Sequence, residues 1–417
     1  MNKKILIISN EPLSNTSSNG RTLRNFLLRI PREQIAQFFL HGEVDETIVS
    51  QWYKVTDHDA LNALLMRKRK TLTTENESNV KLKNTPQKKV RKNCRTMVLR
   101  DIVWRTYFWM KKDFDKFIQY FNPDVLLLQA GDSPFMYAIT LKIAKKYKLP
   151  IVMYNSEEYV LKNKIYSDAN EKSLWHKMLL NRLKRAYKKL MNKVTFCIYS
   201  TEYLENKYQQ VYSHPNKSCA LYTVSELSPL TDKSENDKFS LLYCGHLGVG
   251  RVFPLDEIAK ALYEIDENAV LDIYGNFPDE ASEKLICANK NVHYGGVVPY
   301  ELIPELMSKA SMLLHTENAD RLQNLLGAFS TKIADSLASG RPFLVYAINE
   351  YPFVQYLKKY DCAHIATNND ELIDILQKCI NDREYRYKYA FNAIKTAQNN
   401  HSVDKNCEKM LEILKII

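Results

Sequence analysis

The fold of this chain is decided by the segment Phe329-Ser330-Thr331-Lys332-Ile333-Ala334-Asp335-Ser336-Leu337-Ala338-Ser339-Gly340-Arg341-Pro342-Phe343-Leu344-Val345, which predicts a loop, a helix, a tight turn and a buried strand. Ser330 or Thr331 can cap the helix N-terminus, and Gly340 can end the helix. Lys332 then lies in the first helical turn, where the helix dipole is already positive. Backbone N–H groups, a hydroxyl and an ammonium group meet there, and this combination binds phosphate.

Asp335 follows Lys332 by about one helical turn, within reach of a sugar hydroxyl beside that phosphate. The same residues also fit an amphipathic helix packed on a sheet, with Lys332 and Asp335 merely solvated. Short motifs have low specificity. The segment alone therefore leaves both interpretations open.

The rest of the chain alternates short apolar runs with longer amphipathic runs. In the first half, strands are predicted at Lys4–Ser9, Ala36–Leu40, Pro123–Gln129, Ile151–Asn155 and Val194–Ser200, with helices at Gly20–Ile30, Phe114–Phe121, Pro134–Tyr147 and Trp175–Met191. A second β-α series begins at Phe239, after the polar stretch Ser225–Lys238, which is interpreted as a linker. This pattern predicts two parallel sheets covered by helices on both faces.

Two further loops are candidates for phosphate binding. Gly20 precedes a predicted helix, where a glycine lets the backbone approach an anion closely, although a plain cap turn fits equally. The run Gly245-His246-Leu247-Gly248-Val249-Gly250-Arg251 follows a strand and can wrap an anion. Arg251 has the guanidinium geometry that binds phosphate through two hydrogen bonds.

A polar cluster, Asn155, Glu157 and Glu158, follows the predicted strand Ile151–Asn155. In an open α/β sheet such a position faces the ligand crevice. We therefore expect these residues to contact acceptor hydroxyl groups. The alternative is that the two glutamates only begin a capped helix.

The chain has 417 residues and a formal net charge of +11, which favours an anionic partner. Basic side chains are dense between residues 66 and 112, where Trp104, Tyr107, Phe108 and Trp109 accompany them. This combination favours an anionic membrane surface over nucleic acid, because no nucleic-acid module accompanies it. A solvated loop and an ordinary core-facing helix are the alternative.

The sequence gives no reason to expect a metal site, oxidised cysteines or a membrane-spanning segment. The cysteines lack Cys-x-x-Cys spacing, and the histidines form no cluster, so no metal is expected and the thiols are expected to be reduced, as in a cytoplasmic protein. No apolar run approaches the ~20 residues that a membrane span needs.

The segment around Lys332 resembles the nucleotide-sugar motif of GT-B glycosyltransferases, in particular the retaining group called glycosyltransferase family four. Its pattern is matched by Ser330, Lys332, Asp335, Leu337, Ala338, Gly340 and Pro342. One position departs: Gly327 stands where the family often has the first Glu of a Glu-x7-Glu pair, of which Asp335 is the second acid.

This resemblance implies two Rossmann-like domains facing across a cleft: residues 1–224 for the acceptor, with the basic insertion 66–112, and residues 239–385 for the nucleotide sugar. The helices of residues 386–417 are expected to pack back on the first domain. Arg251 and Lys332 would stabilise the leaving diphosphate. Donor contacts are implied for Gly20, Gly248, Tyr274, Gly275, Val297, Ser330, Thr331 and Asp335.

The sequence thus predicts a metal-independent, retaining glycosyltransferase without a cofactor. It would move a sugar from a nucleotide-diphosphate sugar to a cell-surface glycan or lipid-linked acceptor. It would be cytoplasmic and, through the basic segment, peripheral on the inner membrane face. Two alternatives remain open: a GT-B sugar-nucleotide epimerase, and a non-catalytic GT-B subunit that binds glycan or protein.

Overall fold

A computed structural model describes residues 3–14, 18–66, 72–73, 93–163, 170–212, 217–230 and 238–417. The chain divides into two compact units, Met1–Leu221 with Asn406–Ile417, and Tyr222–Lys405. The expected boundaries differ in two places. Residues 225–230 of the expected linker lie within the second unit, and only Asn406–Ile417 of the expected C-terminal extension belongs to the first unit.

The strands of the first unit are β1 (Ile5–Ile8), β2 (Ile35–Phe39), β3 (Gln51–Lys54), β4 (Leu72–Thr73), β5 (Val125–Gln129), β6 (Ile151–Asn155), β7 (Phe196–Tyr199) and β8 (Ser218–Ala220). Its helices up to residue 221 are α1 (Ser18–Asn25), α2 (Asp57–Leu64), α3 (Cys94–Arg105), α4 (Lys112–Phe121), α5 (Pro134–Tyr147), α6 (Leu174–Met191) and α7 (Glu202–Tyr212).

The second unit contributes β9 (Ser240–Cys244), β10 (Val270–Tyr274), β11 (Val292–Gly296), β12 (Met312–Thr316), β13 (Phe343–Tyr346) and β14 (His364–Ala366). Its helices are α8 (Val252–Ile265), α9 (Glu280–Cys287), α10 (Ile303–Lys309), α11 (Leu322–Leu325), α12 (Thr331–Ser339), α13 (Pro352–Lys359), α14 (Asn369–Asn381), α15 (Arg383–Tyr387) and α16 (Ala390–Asn400). The last helix, α17 (Val403–Ile416), belongs mostly to the first unit.

The first sheet has the strand order β4-β3-β2-β1-β5-β6-β7-β8. All its neighbouring pairs are parallel except β3 with β4. The continuous apolar run of β1, Ile5–Ile8, is buried, as expected for a central strand covered on both faces. The order of strands along the chain reverses between β1 and β5, which makes the carboxyl ends of these strands the crevice of this sheet.

The second sheet has the order β11-β10-β9-β12-β13-β14, with every neighbouring pair parallel. Its order reverses between β9 and β12, so the residues that follow these two strands lie side by side. The apolar faces of β9, β10 and β12 pack with α8 and α14 in one buried cluster. The α/β prediction with two parallel sheets is therefore confirmed.

The basic segment differs from its predicted role in one respect. Residues 67–71 and 74–92 lie outside the described residues, so the basic side chains at 67–70 and 81–92 carry no structural statement. The prediction that Trp104 and Trp109 contribute to a membrane interface is wrong, because both side chains are fully buried. They stack on Phe135 and Phe38, respectively, and so belong to the core of the first unit.

Candidate functional site

The reversal point of the second sheet brings three segments together: the loop after β9, the residues after β12, and the start of α12. The contact is direct at Gly245, the first residue after β9. A Cβ atom placed there would lie 2.4 Å from Nζ of Lys332 and 2.2 Å from its Cε. The lysine side chain of α12 therefore lies across the loop after β9, in the space that a side chain at position 245 would occupy.

The start and end of α12 have the predicted chemistry. The Ser330 hydroxyl accepts a hydrogen bond from the Lys332 N–H at 3.3 Å, and Gly340 ends the helix with φ +70°. Ile333 and Leu337 are fully buried, which anchors the helix on the sheet. The helix N-terminus and the Lys332 ammonium group consequently meet beside Gly245.

Two cations lie close together at this site. Burial lowers the pKa of Lys332, and the neighbouring charge of Arg251 lowers it further, whereas Glu317, Cys244 and Asp335 raise it. A bound anion would offset both effects. Its charge replaces the solvation of Lys332 that burial removes, and it balances the repulsion between Lys332 and Arg251. Depressed lysine pKa values of this kind cluster at functional sites.

The loop from Gly245 to Arg251 is held in one shape by its own contacts. The Gly248 N–H donates to Nδ1 of His246 at 2.7 Å, and the Asn318 amide donates to the Gly250 carbonyl at 3.0 Å. Gly250 has φ +76°, a conformation that favours glycine. Arg251 then occupies the position just before α8.

Arg251 does not point freely into solvent. Its Nε donates to Oε2 of Glu317 at 2.9 Å, and its Nη2 donates to Oε1 at 2.6 Å. Its Nη1 donates to the His246 carbonyl at 3.2 Å. Burial lowers the pKa of Arg251, but hydrogen bonding and the charge of Glu317 raise it overall. The sequence analysis missed Glu317, which directly follows β12.

His315 is a second residue that the sequence analysis missed. It lies on β12, is almost completely buried, and has Nε2 3.6 Å from Oε1 of Glu317. Within the described part of the chain, neither ring nitrogen has a hydrogen-bond partner. Burial, Lys332 and Arg251 hold its pKa well below the ordinary value, so the imidazole is neutral.

Asp335 is buried, with hydrogen bonds from two hydroxyl groups. Ser225 donates to Oδ1 at 2.6 Å, and Tyr300 donates to Oδ2 at 3.2 Å. The carboxylate is thus fixed one turn beyond Lys332. Thr331, the first residue of α12, is exposed beside the cap.

The glycines at the ends of β10 and β11 mark very close packing. A Cβ atom at Gly275 would lie 1.8 Å from the Gly245 carbonyl oxygen, and φ there is +151°. A Cβ atom at Gly295 would lie 2.1 Å from the Tyr274 ring, so this ring covers the glycine. Val297, two residues further, is 72% exposed. Tyr274, Gly275 and Val297 therefore surround the same edge of the sheet as Gly245.

The candidate residues of the first unit form no comparable cluster. Gly20 is buried within α1 rather than preceding the helix. Asn155 accepts a hydrogen bond from the Tyr187 hydroxyl at 3.1 Å, and Glu158 accepts one from Lys207 at 3.1 Å. Glu157 is exposed, and residues 156–163, the described residues that follow β6, contain no helix.

Among the described residues, no helix is long and apolar enough to cross a membrane. No group of three or more His, Cys, Asp or Glu side chains there is arranged to hold a metal ion.

A known protein family matches the C-terminal part of the chain. Residues 251–412 match the protein family described as glycosyl transferase-like, a range that contains Arg251, Glu317 and Lys332. No curated protein sequence matches the chain.

Similar solved structures cover nearly the whole chain. Anabaena HepE in complex with UDP has a TM-score of 0.65 and 11% identity, covering 99% of this chain and 100% of that chain. Sucrose-phosphate synthase from Thermosynechococcus elongatus has a TM-score of 0.64 and 9% identity, covering 99% and 98%.

A variant of S. aureus TarM, in complex with fondaparinux, α-GlcNAc-glycerol and UDP, has a TM-score of 0.60 and 11% identity, covering 99% of each chain. The chain therefore has the GT-B fold of two-domain glycosyltransferases, as the sequence predicted.

Proposed function

We propose that this chain is a glycosyltransferase that moves a sugar from a nucleotide-diphosphate sugar to a cell-surface glycan or lipid-linked acceptor. The observation that carries the proposal is the contact of Lys332 with the loop after β9. It unites an ammonium group, the N-terminus of α12 and a glycine-rich loop at the reversal point of a parallel sheet.

The chemistry follows from the charges at this point. Cleaving the bond between the sugar and the nucleotide leaves negative charge on the diphosphate. Lys332, Arg251 and the N-H groups of α12 supply fixed positive charge and donors where that negative charge develops. These groups stabilise the departing diphosphate without a metal ion.

The donor nucleotide is proposed to lie along the edge formed by Gly248, Tyr274, Gly275 and Val297. The absence of side chains at Gly245 and Gly275 lets the Lys332 side chain and the two backbone segments pack closely there. Asp335 binds the ribose, with Ser330 and Thr331 beside the phosphates. The HepE and TarM complexes contain UDP, which makes a UDP-sugar the first donor to test.

The acceptor is proposed to bind the first unit near Asn155 and Glu157, and Gly20 remains a predicted donor contact. Glu158 contributes through its ion pair with Lys207, which holds this turn in place. The TarM complex contains fondaparinux, a glycan. Retention of the anomeric configuration is proposed from the family resemblance. Of the family's Glu-x7-Glu pair, this chain has an acid at the second position, Asp335, and Gly327 at the first.

Donor binding and turnover test this proposal. A panel of UDP, GDP, ADP and dTDP is titrated by calorimetry, and the corresponding UDP- or GDP-sugars are then incubated with the protein and acceptor extracts. We expect one nucleotide to bind and its sugar donor to be consumed. Lys378, an exposed lysine paired with Asp374, provides a charge-matched control variant, K378A.

Non-catalytic binding is the second candidate, favoured by the pair that Arg251 forms with Glu317 and by Gly327. It predicts nucleotide or glycan binding without donor turnover. An epimerase would instead convert the donor sugar in the absence of any acceptor, which the same incubation detects.

A peripheral position on the inner membrane face of the cell is proposed for the first unit. Helices α3 and α6 pack together, and their exposed surface carries the apolar side chains Leu99, Ile102, Leu174, Trp175 and Met178. Exposed basic residues border this surface: Arg95, Lys177, Arg185 and Lys188. The Arg95 guanidinium lies 5.9 Å from the Trp175 ring centroid. Apolar side chains framed by cations match an anionic lipid surface.

Vesicle sedimentation tests this location. Binding to vesicles containing anionic lipid should be salt-sensitive and should fall in L174S/W175S/M178S. Replacing Lys88, Lys89, Arg91 and Lys92 by Ala should also release the protein, since each basic group near such a surface contributes about 1 kcal/mol. Failure of the wild-type protein to bind anionic vesicles at low salt would exclude the membrane location.

A further inference from the structure

The contacts of Glu317 show a carboxylate that serves another residue of the site. Both of its oxygens bind the same guanidinium group, at 2.6 and 2.9 Å, along the Nε–Nη2 edge of Arg251. The glutamate side chain is only 6% exposed and that of Arg251 only 14%. Such a two-point pair fixes the plane and the direction of the guanidinium group, which a single contact does not.

The pair leaves part of Arg251 available to a ligand. A guanidinium group has five N–H donors. The contacts with Glu317 use two of them, and the contact with the His246 carbonyl uses a third. Two donors remain, one on each Nη nitrogen. A diphosphate can accept these two while Glu317 keeps its own.

Side chains from three elements surround Glu317. Arg251 contacts it from the start of α8, Lys332 lies nearby on α12, and His315 approaches it along β12 at 3.6 Å. From α13, the apolar ring of Phe353 packs on His315 with 5.3 Å between ring centroids. The neutral His315 adds no positive charge that would draw Glu317 away from Arg251.

We infer that Glu317 is a positioning residue for the donor diphosphate, acting through Arg251. This inference rests on the proposed function, because it takes Arg251 as a diphosphate ligand. Glu317 does not touch the substrate. It orients the guanidinium so that the two remaining donors meet the phosphate oxygens without reorganisation.

The opposite role is physically distinct and predicts the opposite sign. If Glu317 instead competes with the diphosphate for Arg251, then removing its charge frees the arginine and strengthens nucleotide binding. If it positions Arg251, the same change weakens binding. One affinity measurement therefore separates the two roles.

A double-mutant cycle tests the inference with the nucleoside diphosphate that binds wild type most tightly. The variants are E317Q, R251A, R251A/E317Q and, as a conservative variant, E317D. We expect E317Q to weaken binding at least about tenfold, R251A about a hundredfold, and the double variant no more than R251A alone, since residues acting as a unit are not additive. E317D should recover part of the loss.

Chemical rescue adds a readout that a merely structural role would not change. Guanidinium chloride at a non-denaturing concentration should restore nucleotide affinity to R251A, because Glu317 can hold the free ion in the vacated place. It should not restore affinity to R251A/E317Q. Sodium chloride at equal ionic strength is the control for both variants, and thermal unfolding verifies that each is folded.

The outcomes are distinguishable. Tighter binding by E317Q, additive losses in the double variant, or equal rescue of both variants would overturn the positioning role while leaving the proposed function in place. If E317Q alone fails to fold, the double variant, which lacks both charges, still reports through rescue against R251A. Absence of nucleotide binding and donor turnover in wild type would reject the proposed function, and this inference with it.

Discussion

The carboxyl ends of the two sheets differ in what their polar residues do. In the second unit, Lys332 and Arg251 meet at the loop after β9, and Arg251 pairs with the buried carboxylate of Glu317, whose charge also raises the pKa of Lys332. In the first unit, Asn155 and Glu158 are bonded to Tyr187 and Lys207 of the same unit. The second sheet thus brings two basic side chains from different elements to one loop, whereas Asn155 and Glu158 of the first sheet are paired within their own unit.

Under the proposed function, this difference separates the donor side of the reaction, which uses preformed charge, from the acceptor side. A diphosphate is the same in every donor of one base, so a rigid site for it is useful. Preorganised charge stabilises a leaving group without the cost of rearrangement. Glycans vary, and an acceptor surface of exposed residues such as Glu157 leaves room for that variation.

The largest effect is expected at the closest packing of the second unit. Gly275→Ala places a Cβ atom 1.8 Å from a backbone oxygen and should destabilise the second unit by at least about 3 kcal/mol, within the range known for severe backbone clashes. Gly296→Ala is the matched control: its φ is also positive, at +71°, but no atom lies within 4 Å. Its cost should be about 1 kcal/mol, from backbone strain alone.

Urea unfolding of both glycine variants measures this contrast. Equal stability of the two variants would show that the contact between Gly275 and Gly245 is not tight in solution, and the rigid donor edge would lose its basis.

Replacing Lys332 should reduce transfer strongly while leaving the fold intact. Lys332→Ala should lower kcat by about 10²-fold or more, the range for loss of one transition-state charge partner. The side chain begins on the first turn of α12, so the thermal midpoint should remain close to that of wild type. Steady-state kinetics of K332A and K378A check this prediction. Equal rates in these two variants would remove Lys332 from the site.

Asp335→Asn should affect donor binding more than chemistry. A carboxylate that binds a ribose contributes equally in the ground and transition states, so KM rises while kcat changes little. We expect about a tenfold rise, since hydrogen bonds to charged groups contribute about 1.5–3 kcal/mol. Tyr300→Phe, which removes the hydroxyl that contacts Asp335 at 3.2 Å, is the control for a purely structural role. A rise in KM of equal size in both variants would indicate that role.

The smallest effect is a shift in pH dependence. Because burial and Arg251 lower the pKa of Lys332, its charge is present below that lowered pKa and is lost as pH rises through it. Affinity for a nucleoside diphosphate should therefore fall at a pH below the ordinary lysine pKa of 10.5. Lys332→Arg keeps its charge throughout and should flatten the profile. A wild-type profile that is flat up to the ordinary pKa would contradict the depressed pKa.

The sequence predicted helix α12 and its caps well because their signals are local. Ser330, Lys332 and Gly340 lie within one helix and its caps, where spacing along the chain determines position in space. Pro134–Tyr147 and Ile151–Asn155 were predicted with their observed bounds for the same reason. Short strands such as β3 and β14 were missed, because a run of three or four residues carries little periodicity.

Glu317 and His315 were missed for a different reason. Arg251 and Glu317 are 66 positions apart, and they meet only because β12 pairs with β9. Strand order decides such contacts, and no local pattern encodes it. The burial of Trp104 and Trp109 was missed likewise, since an aromatic residue beside basic residues looks the same in sequence whether it faces the core or the solvent.

The most direct test of the account is a calorimetric titration of wild type and Lys332→Ala with the panel of nucleoside diphosphates. The account predicts that one member of the panel binds wild type, and that K332A binds it at least about tenfold more weakly while K378A is unchanged. Failure of every nucleotide to bind wild type, or equal affinity in K332A, would contradict a donor site at the reversal point of the second sheet.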